Sequence, residues 1–161
     1  MEAFSLIINS IPHDLVIVGR KEGFITVDKK VDSIARAIED RVHFTGFVSD
    51  ELLKQYYVHA SALVLPSLYE GFGLPPLEAM ACGCPTAVSN VASIPEVCGK
   101  ASLYFNPYDI REIAKKIHLI LTDTNLRKTL KEKGYSQAKK FTCEVSAKGV
   151  KMLIENIIEN R

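Results

Sequence analysis

The chain has 161 residues, 47% of them apolar and 24% charged, which suits one folded domain with a real core. Its 20 Lys and Arg nearly cancel its 19 Asp and Glu, which removes any bulk electrostatic case for nucleic acid or an anionic membrane. No apolar run approaches the roughly 20 residues of a membrane helix, and the opening MEAFSLIINSIPHD carries neither a basic leader nor a small-residue cleavage site, so the expected address is cytoplasmic.

Short β-rich runs alternate with helical patterns along the chain, the signature of βα units around a parallel sheet. Phe4, Leu6, Ile7, Ile8 and Ile11 carry helical spacing, ended by Pro12. Leu15-Val16-Ile17-Val18 then runs apolar into Gly19 without alternation, which predicts a strand covered on both faces. Val31, Ile34, Ala35 and Ile38 form a helical stripe. Val42 to Gly46 alternates and predicts a strand nearer the sheet edge, with His43 half-exposed on its polar phase rather than a ligand. Ser49 is placed to cap a helix whose face would be Leu52, Leu53, Tyr56 and Ala60.

Ala62 to Leu65 is a second continuous apolar strand, closed by Pro66-Ser67. A short helix is expected around Leu77 to Cys82, stopping at Gly83, after which Thr86-Ala87-Val88 resumes the sheet. Ser93-x-x-Glu96 has the spacing of a capping box opening one or two turns. Leu103-Tyr104-Phe105 is the last strand, and Asp109-x-x-Glu112 caps an amphipathic helix with face Ile110, Ile113, Ala114, Ile117 and Ile120; two more helices finish the chain. The fold expected is α/β: five parallel strands with helices on both faces, and ligands beyond the carboxyl ends of the strands. Cys82, Cys84, Cys98 and Cys143 show no second close pair and no zinc spacing, so they are expected to be buried thiols, with no metal site.

The chemistry-bearing stretch follows the Ala62–Leu65 strand: PSLYEGFGLPPLEAMACGCP, residues 66–85. Gly71 and Gly73 let backbone approach a ligand and permit positive φ. Pro75 sits where a helix begins, a position that loses nothing from a missing N–H. Free N–H groups of that first turn, backed by the helix dipole, form an anion site suited to phosphate. Glu78, in the same turn, can accept two hydrogen bonds from vicinal ribose hydroxyls, and Glu70 on the preceding loop can face whatever the phosphate carries. A bare Glu-x7-Glu is weak evidence; the specificity lies in the glycines, helix-start proline and both carboxylates falling into one geometry.

On these residues the sequence resembles the group 1 glycosyltransferases, retaining enzymes with two Rossmann-like domains facing across a cleft, the GT-B fold. The resemblance rests on Glu70-Gly71-Phe72-Gly73-Leu74 through Glu78-Ala79-Met80 and on Gly83-Cys84-Pro85. It is reinforced in order by Leu15 to Gly19, Val42-x-Phe44-x-Gly46, Ile94-Pro95-Glu96-Val97 and Phe105-Asn106-Pro107, covering nearly the whole chain. The resemblance implies that residues 1–161 are the C-terminal, nucleotide-sugar-binding half of such an enzyme. Glu70 would contact the transferred sugar and Glu78 the ribose. Backbone N–H groups from Gly73 to Leu77, with Gly71, Phe72 and Leu74 around them, would meet sugar hydroxyls and diphosphate, while Gly46-Phe47-Val48 would lie against the base. No metal or other cofactor is implied, because helix terminus and basic side chains stabilise the leaving diphosphate. The sugar would be a hexose, mannose or glucose, passed to a glycan or lipid-linked acceptor.

The resemblance also implies departures. The family's domain starts one βα unit earlier, with a first strand ending in Gly-Arg and a lysine soon after; Met1 to Phe4 resembles the second half of the following helix. Arg20 and Lys21 could partly substitute for those cations, although a solvated loop is the favoured role, and Lys29 and Lys30 have no better claim. The acceptor domain is expected to be absent. A missing central strand would leave the edges of Leu15–Val18 and Ala62–Leu65 to pair directly, to flank a gap, or to take a strand from a partner chain. The family often has a Trp after Phe-Ser where this chain reads Phe141-Thr142-Cys143, a difference expected to bear on helix packing. Two rival readings stay open here: a non-catalytic nucleotide-sugar-binding module, and a sugar-nucleotide epimerase, which the Glu70–Glu78 block fits less well. A nicotinamide-dependent dehydrogenase is disfavoured, since Leu15–Gly19 is followed by Arg20-Lys21-Glu22-Gly23 without the glycine fingerprint.

Overall fold

A computed structural model describes residues 1–19 and 38–159 of the chain. Arg20, Lys21, Lys29, Lys30 and the stripe from Val31 to Ala35 lie outside the described residues. The strands are β1 (Leu15–Ile17), β2 (Val42–Phe44), β3 (Leu63–Leu65), β4 (Thr86–Ser89) and β5 (Ser102–Phe105), each within or beside the run that the sequence predicts. The helices are α1 (Glu2–Ser5), α2 (Asp50–His59), α3 (Leu74–Ala81), α4 (Ile94–Cys98), α5 (Ile110–Thr122), α6 (Thr124–Ala138) and α7 (Cys143–Glu159). The expected first helix is broken into α1 and a separate 3-10 turn at Ile8–Ser10.

All strand pairing in these ladders is parallel, but the expected single sheet is divided into the pair β1-β2 and the trio β3-β4-β5. Among the described residues no ladder joins β1 to β3, so direct closure of those two edges does not occur. An isolated antiparallel bridge adds Gly19 to Gly46, with a 3.1 Å bond from Gly19 N–H to the Gly46 carbonyl.

β4 is the strand covered on both faces. Ala87 points into a cluster with Phe105, Ile113, Ala114, Ile117, Ile120 and Leu130, while Val88 enters another with Leu77, Met80, Ile94, Val97 and Cys98. The alternation of a strand therefore drives α5 against one face and α3 and α4 against the other. The two buried hydroxyls of Thr86 and Ser102 satisfy each other across the β4-β5 ladder at 2.5 Å. β1 departs from its expectation: Val16 is 41% exposed, so this strand is not covered on both sides. It sits in the two-stranded pair, where one partner and a small cluster around Phe4, Ile11 and Val42 bury only the other side. His43 on β2 is exposed and its ring meets Asp14 at 3.2 Å, the surface role expected of it.

Helix starts follow local chemistry. Ser49 accepts from Leu52 N–H at 3.3 Å to open α2, and Asp109 accepts from Arg111 and Glu112 N–H at 3.0 Å to open α5. The face of α2 is shifted from its expected register: Tyr57 is the buried residue and Leu53 half-buried, while Leu52 and Ala60 are exposed. α3 packs on α6 where Gly134 has no side chain; a Cβ there would stand 3.2 Å from Met80 Cγ. Cys84 and Cys98 are buried thiols as expected, but Cys143 is exposed at the start of α7. α7 carries Val150, Leu153, Ile154, Ile157 and Ile158 on an exposed stripe, flanked by ion pairs Glu144–Lys148 and Lys151–Glu155. No helix among the described residues is long and apolar enough to cross a membrane.

Candidate functional site

β3 ends at Leu65, and the chain then makes a loop through residues 66–73 before entering α3 at Leu74. Gly73 caps the helix with φ +100°, a left-handed conformation that costs an L side chain about 1–2 kcal/mol. A Cβ at Gly73 would meet Ile94 only at an ordinary 3.8 Å, so the backbone angle and not crowding demands glycine. Gly71 differs from its expected role. Its φ is outside the left-handed region and nothing lies within 4 Å of a Cβ added there, so it supplies open space alone.

The start of α3 points orphan amides out of the fold, as any helix N-terminus does. Pro75 and Pro76 carry no N–H, so the amides available there are those of Gly73 and Leu74, with Leu77 next in the chain. Leu77's side chain is 7% exposed in the core cluster with Met80 and Val88, and as the fourth helical residue its N–H closes the first intrahelical bond, to the Gly73 carbonyl, so the ligand role expected of Leu77 is not met. The expected first-turn helix is thus longer than the sequence suggested, and Glu78 falls on its second turn as the fifth residue rather than in the first.

Both carboxylates are tethered. Ser67 donates its hydroxyl to Glu70 Oε1 at 2.7 Å, and Tyr57 donates from α2 to Glu78 Oε2 at 3.2 Å. Burial of the Tyr57 phenol, followed by the neighbouring Glu78 charge, pushes its pKa well above the usual range and keeps it a donor. Glu70 is half-buried, Glu78 exposed. Ser93 Oγ lies 3.0 Å from the carbonyl oxygens of both Glu70 and Phe72. That contact replaces the capping box expected of Ser93: its own backbone is helical, its side chain makes no cap bond, and the loop carbonyls take the hydroxyl instead. The Phe72 ring meets the edge of Phe141 at 5.9 Å between centroids.

The structure therefore brings Glu70, Gly71, Phe72, Gly73, Leu74 and Glu78 together on one strand-to-helix turn. Gly46, Phe47 and Val48 stand apart at the carboxyl end of β2, in the other ladder; Gly46 has φ +67° and Phe47 is 86% exposed. Arg20 lies outside the described residues.

Comparison with known proteins identifies the family. The profile of the family described as "Glycosyl transferases group 1" matches residues 1–137. The chain belongs to the group 1 glycosyltransferases. Among curated relatives, the serotype-specific mannosyltransferase WbdA of Escherichia coli is 41% identical over 117 residues, covering 70% of this chain and 14% of that protein. The O-antigen chain mannosyltransferase B of Escherichia coli is 45% identical over 106 residues, covering 66% of this chain and 28% of its own length. Sucrose-phosphate synthase from Thermosynechococcus elongatus superposes with a TM-score of 0.81 at 29% identity, over 99% of this chain and 42% of that one. The fold is the Rossmann-like domain of a GT-B architecture, and the chain spans well under a third of either mannosyltransferase it matches.

Within this group 1 domain, four contributors escaped the sequence reading: Ser67, Ser93, Tyr57 and Phe141. Ser67 had a legible signal, a hydroxyl three residues before a carboxylate in a turn. Tyr57 was legible only as Leu53's i+4 neighbour. Ser93 and Phe141 reach the loop across 21 and 69 residues, respectively, from Phe72, and no local pattern announces such contacts.

Proposed function

We propose that residues 1–161 are the donor-binding half of a retaining hexosyltransferase that takes a nucleotide-diphospho-sugar. The observation that carries this reading is the Gly73-capped start of α3 flanked by two hydroxyl-tethered carboxylates. In it, the Gly73 and Leu74 amides and the dipole of α3 receive the diphosphate, Glu78 accepts from the ribose hydroxyls, and Glu70 faces the sugar. Gly71 and Phe72 supply the loop backbone along the sugar, Gly46, Phe47 and Val48 lie along the base, and Arg20 adds positive charge near the phosphates. Mannose is the favoured sugar, supported by the names of the two Escherichia coli relatives.

Transfer in this reading breaks the bond between the anomeric carbon and the diphosphate oxygen. The acceptor oxygen bonds to the same face of an oxocarbenium-like sugar, and its proton passes to the departing phosphate. The leaving charge is met by oriented amides, which need no reorganisation at the moment of reaction. The acceptor would be a glycan or lipid-linked sugar, held by a further domain in the same or another chain. Among the described residues no ladder joins β1 to β3, and a strand added beside either, from this protein or a partner, would pair its edge. A cytoplasmic address completes the proposal.

Titration calorimetry with GDP, UDP, ADP and GDP-mannose, in EDTA, tests it. One nucleotide is expected to bind with a dissociation constant below roughly 1 mM, equivalent to about −4.1 kcal/mol. Absence of heat with all four at millimolar concentration would refute the reading.

A further inference from the structure

We infer that Tyr57 is a positioning residue for Glu78, aiming one carboxylate oxygen at the nucleotide's ribose and thereby setting the preference for ribose hydroxyls. The inference rests on the nucleotide-sugar reading of the site and assigns it a residue from outside the strand-to-helix turn.

The geometry is specific. Tyr57 is 9% exposed, wedged from α2 among Ala79, Cys84, Leu53 and Leu63, yet its hydroxyl reaches Glu78 Oε2 at 3.2 Å. A carboxylate is acceptor-only, so the phenol is the donor. Burial keeps that phenol protonated, and the bond survives throughout the physiological pH range. Glu78 itself is exposed on α3, and a free glutamate there would sample its side-chain rotamers in solvent. Tyr57 engages Oε2 and leaves Oε1, with its lone pairs, for a vicinal diol. Because the ring is anchored among core residues, it holds the carboxylate from the α2 side.

A purely structural role is the competing explanation: the bond would then hold α2 against α3 and nothing more. The two accounts separate on ligand chemistry. Calorimetry is run on the whole chain with the best-bound of GDP, UDP and ADP and with its 2′,3′-dideoxy analogue, alongside thermal melting. Tyr57→Phe keeps the ring and removes the donor. It is expected to weaken the ribonucleotide about three- to tenfold, the range of one net hydrogen bond, to leave the dideoxy analogue unchanged, and to have no added effect in a Glu78→Ala background. Equal weakening of both ligands, or undiminished ribonucleotide binding, in a folded variant overturns the inference while leaving the nucleotide reading intact. Wild-type chain that binds no nucleotide overturns both. Should Tyr57→Phe fail to fold, Tyr57→Leu serves instead: it also removes the donor while keeping an apolar side chain among Ala79 and Leu63, and the same selective loss is expected. Undiminished ribonucleotide binding by that variant counts against Tyr57.

Discussion

The hydroxyl of Ser93 stands 3.0 Å from the main-chain carbonyl oxygen of Glu70, tying the residue before α4 to the loop that carries the first candidate carboxylate. The same hydroxyl reaches Phe72 O at 3.0 Å, so one proton is shared between two carbonyls on either side of Gly71. Ser93→Ala is expected to cost about 0.5–1.5 kcal/mol of stability, a fall in melting temperature of a few degrees. It should weaken a nucleotide sugar more than the bare nucleoside diphosphate, because the tether lies at the Glu70 end. Equal weakening of both ligands by the variant, or none, would remove Ser93 from the site.

The two loop glycines should respond differently. Gly71→Ala meets nothing within 4 Å in the free protein and should leave the melting temperature unchanged while weakening donor binding. Gly73→Ala must hold φ +100° and should destabilise the chain by about 1–2 kcal/mol with or without ligand. A Gly71→Ala variant that binds normally would show that no ligand approaches that backbone.

Glu78→Ala should weaken nucleoside diphosphates about tenfold or more, since a hydrogen bond to a charged group is worth about 1.5–3 kcal/mol. Calorimetry with wild type and variant checks this, and unchanged affinity would refute the ribose contact.

Thiol chemistry gives an independent check on the packing. Cys143 is exposed and should react first with an alkylating agent; Cys84 and Cys98 should stay protected until unfolding. Burial pushes the Cys84 thiol from its usual 9.0 up to about 11, so the folded state holds its proton where the unfolded chain releases it. The associated stability is fully present below pH 9 and lost as pH rises towards 11. The Tyr57 phenol, raised from 10.0, adds to the loss above pH 10. Unfolding measured from pH 8 to 11 should therefore show declining stability, with a shallower decline in Cys84→Ala.

What the sequence announced and what it withheld divide along the range of the contacts. The apolar runs at 15–18 and 62–65 identified strands because burial dictates them locally, and Ser49 and Asp109 announced their caps because the amide donors lie two or three residues away. Glu70, Gly73 and Glu78 came to one turn because strand, loop and helix are consecutive. Ser93 was misread because its hydroxyl had two destinations, a local amide and distant carbonyls, and tertiary structure chose the distant ones. The face of α2 was misread by one residue because Tyr56 and Tyr57 are chemically alike, and only the opposing α3 distinguishes them. The division into two ladders was not legible, because both strands are short apolar runs and neither pattern names the neighbour it pairs with.

The close approach of Met80 to Gly134 separates interchangeable parts of this domain from its chassis. α3 carries the oriented amides and Glu78, and its rear is keyed into α6 at a point where even one methyl group would stand 3.2 Å from Met80 Cγ. The exposed side chains of Phe47, Leu68 and Tyr69, by contrast, can be exchanged with little consequence for the packing. The α3–α6 seam behaves otherwise: a methyl added at Gly134 presses on Met80, so α3, with the loop and Glu78 it carries, has to give way.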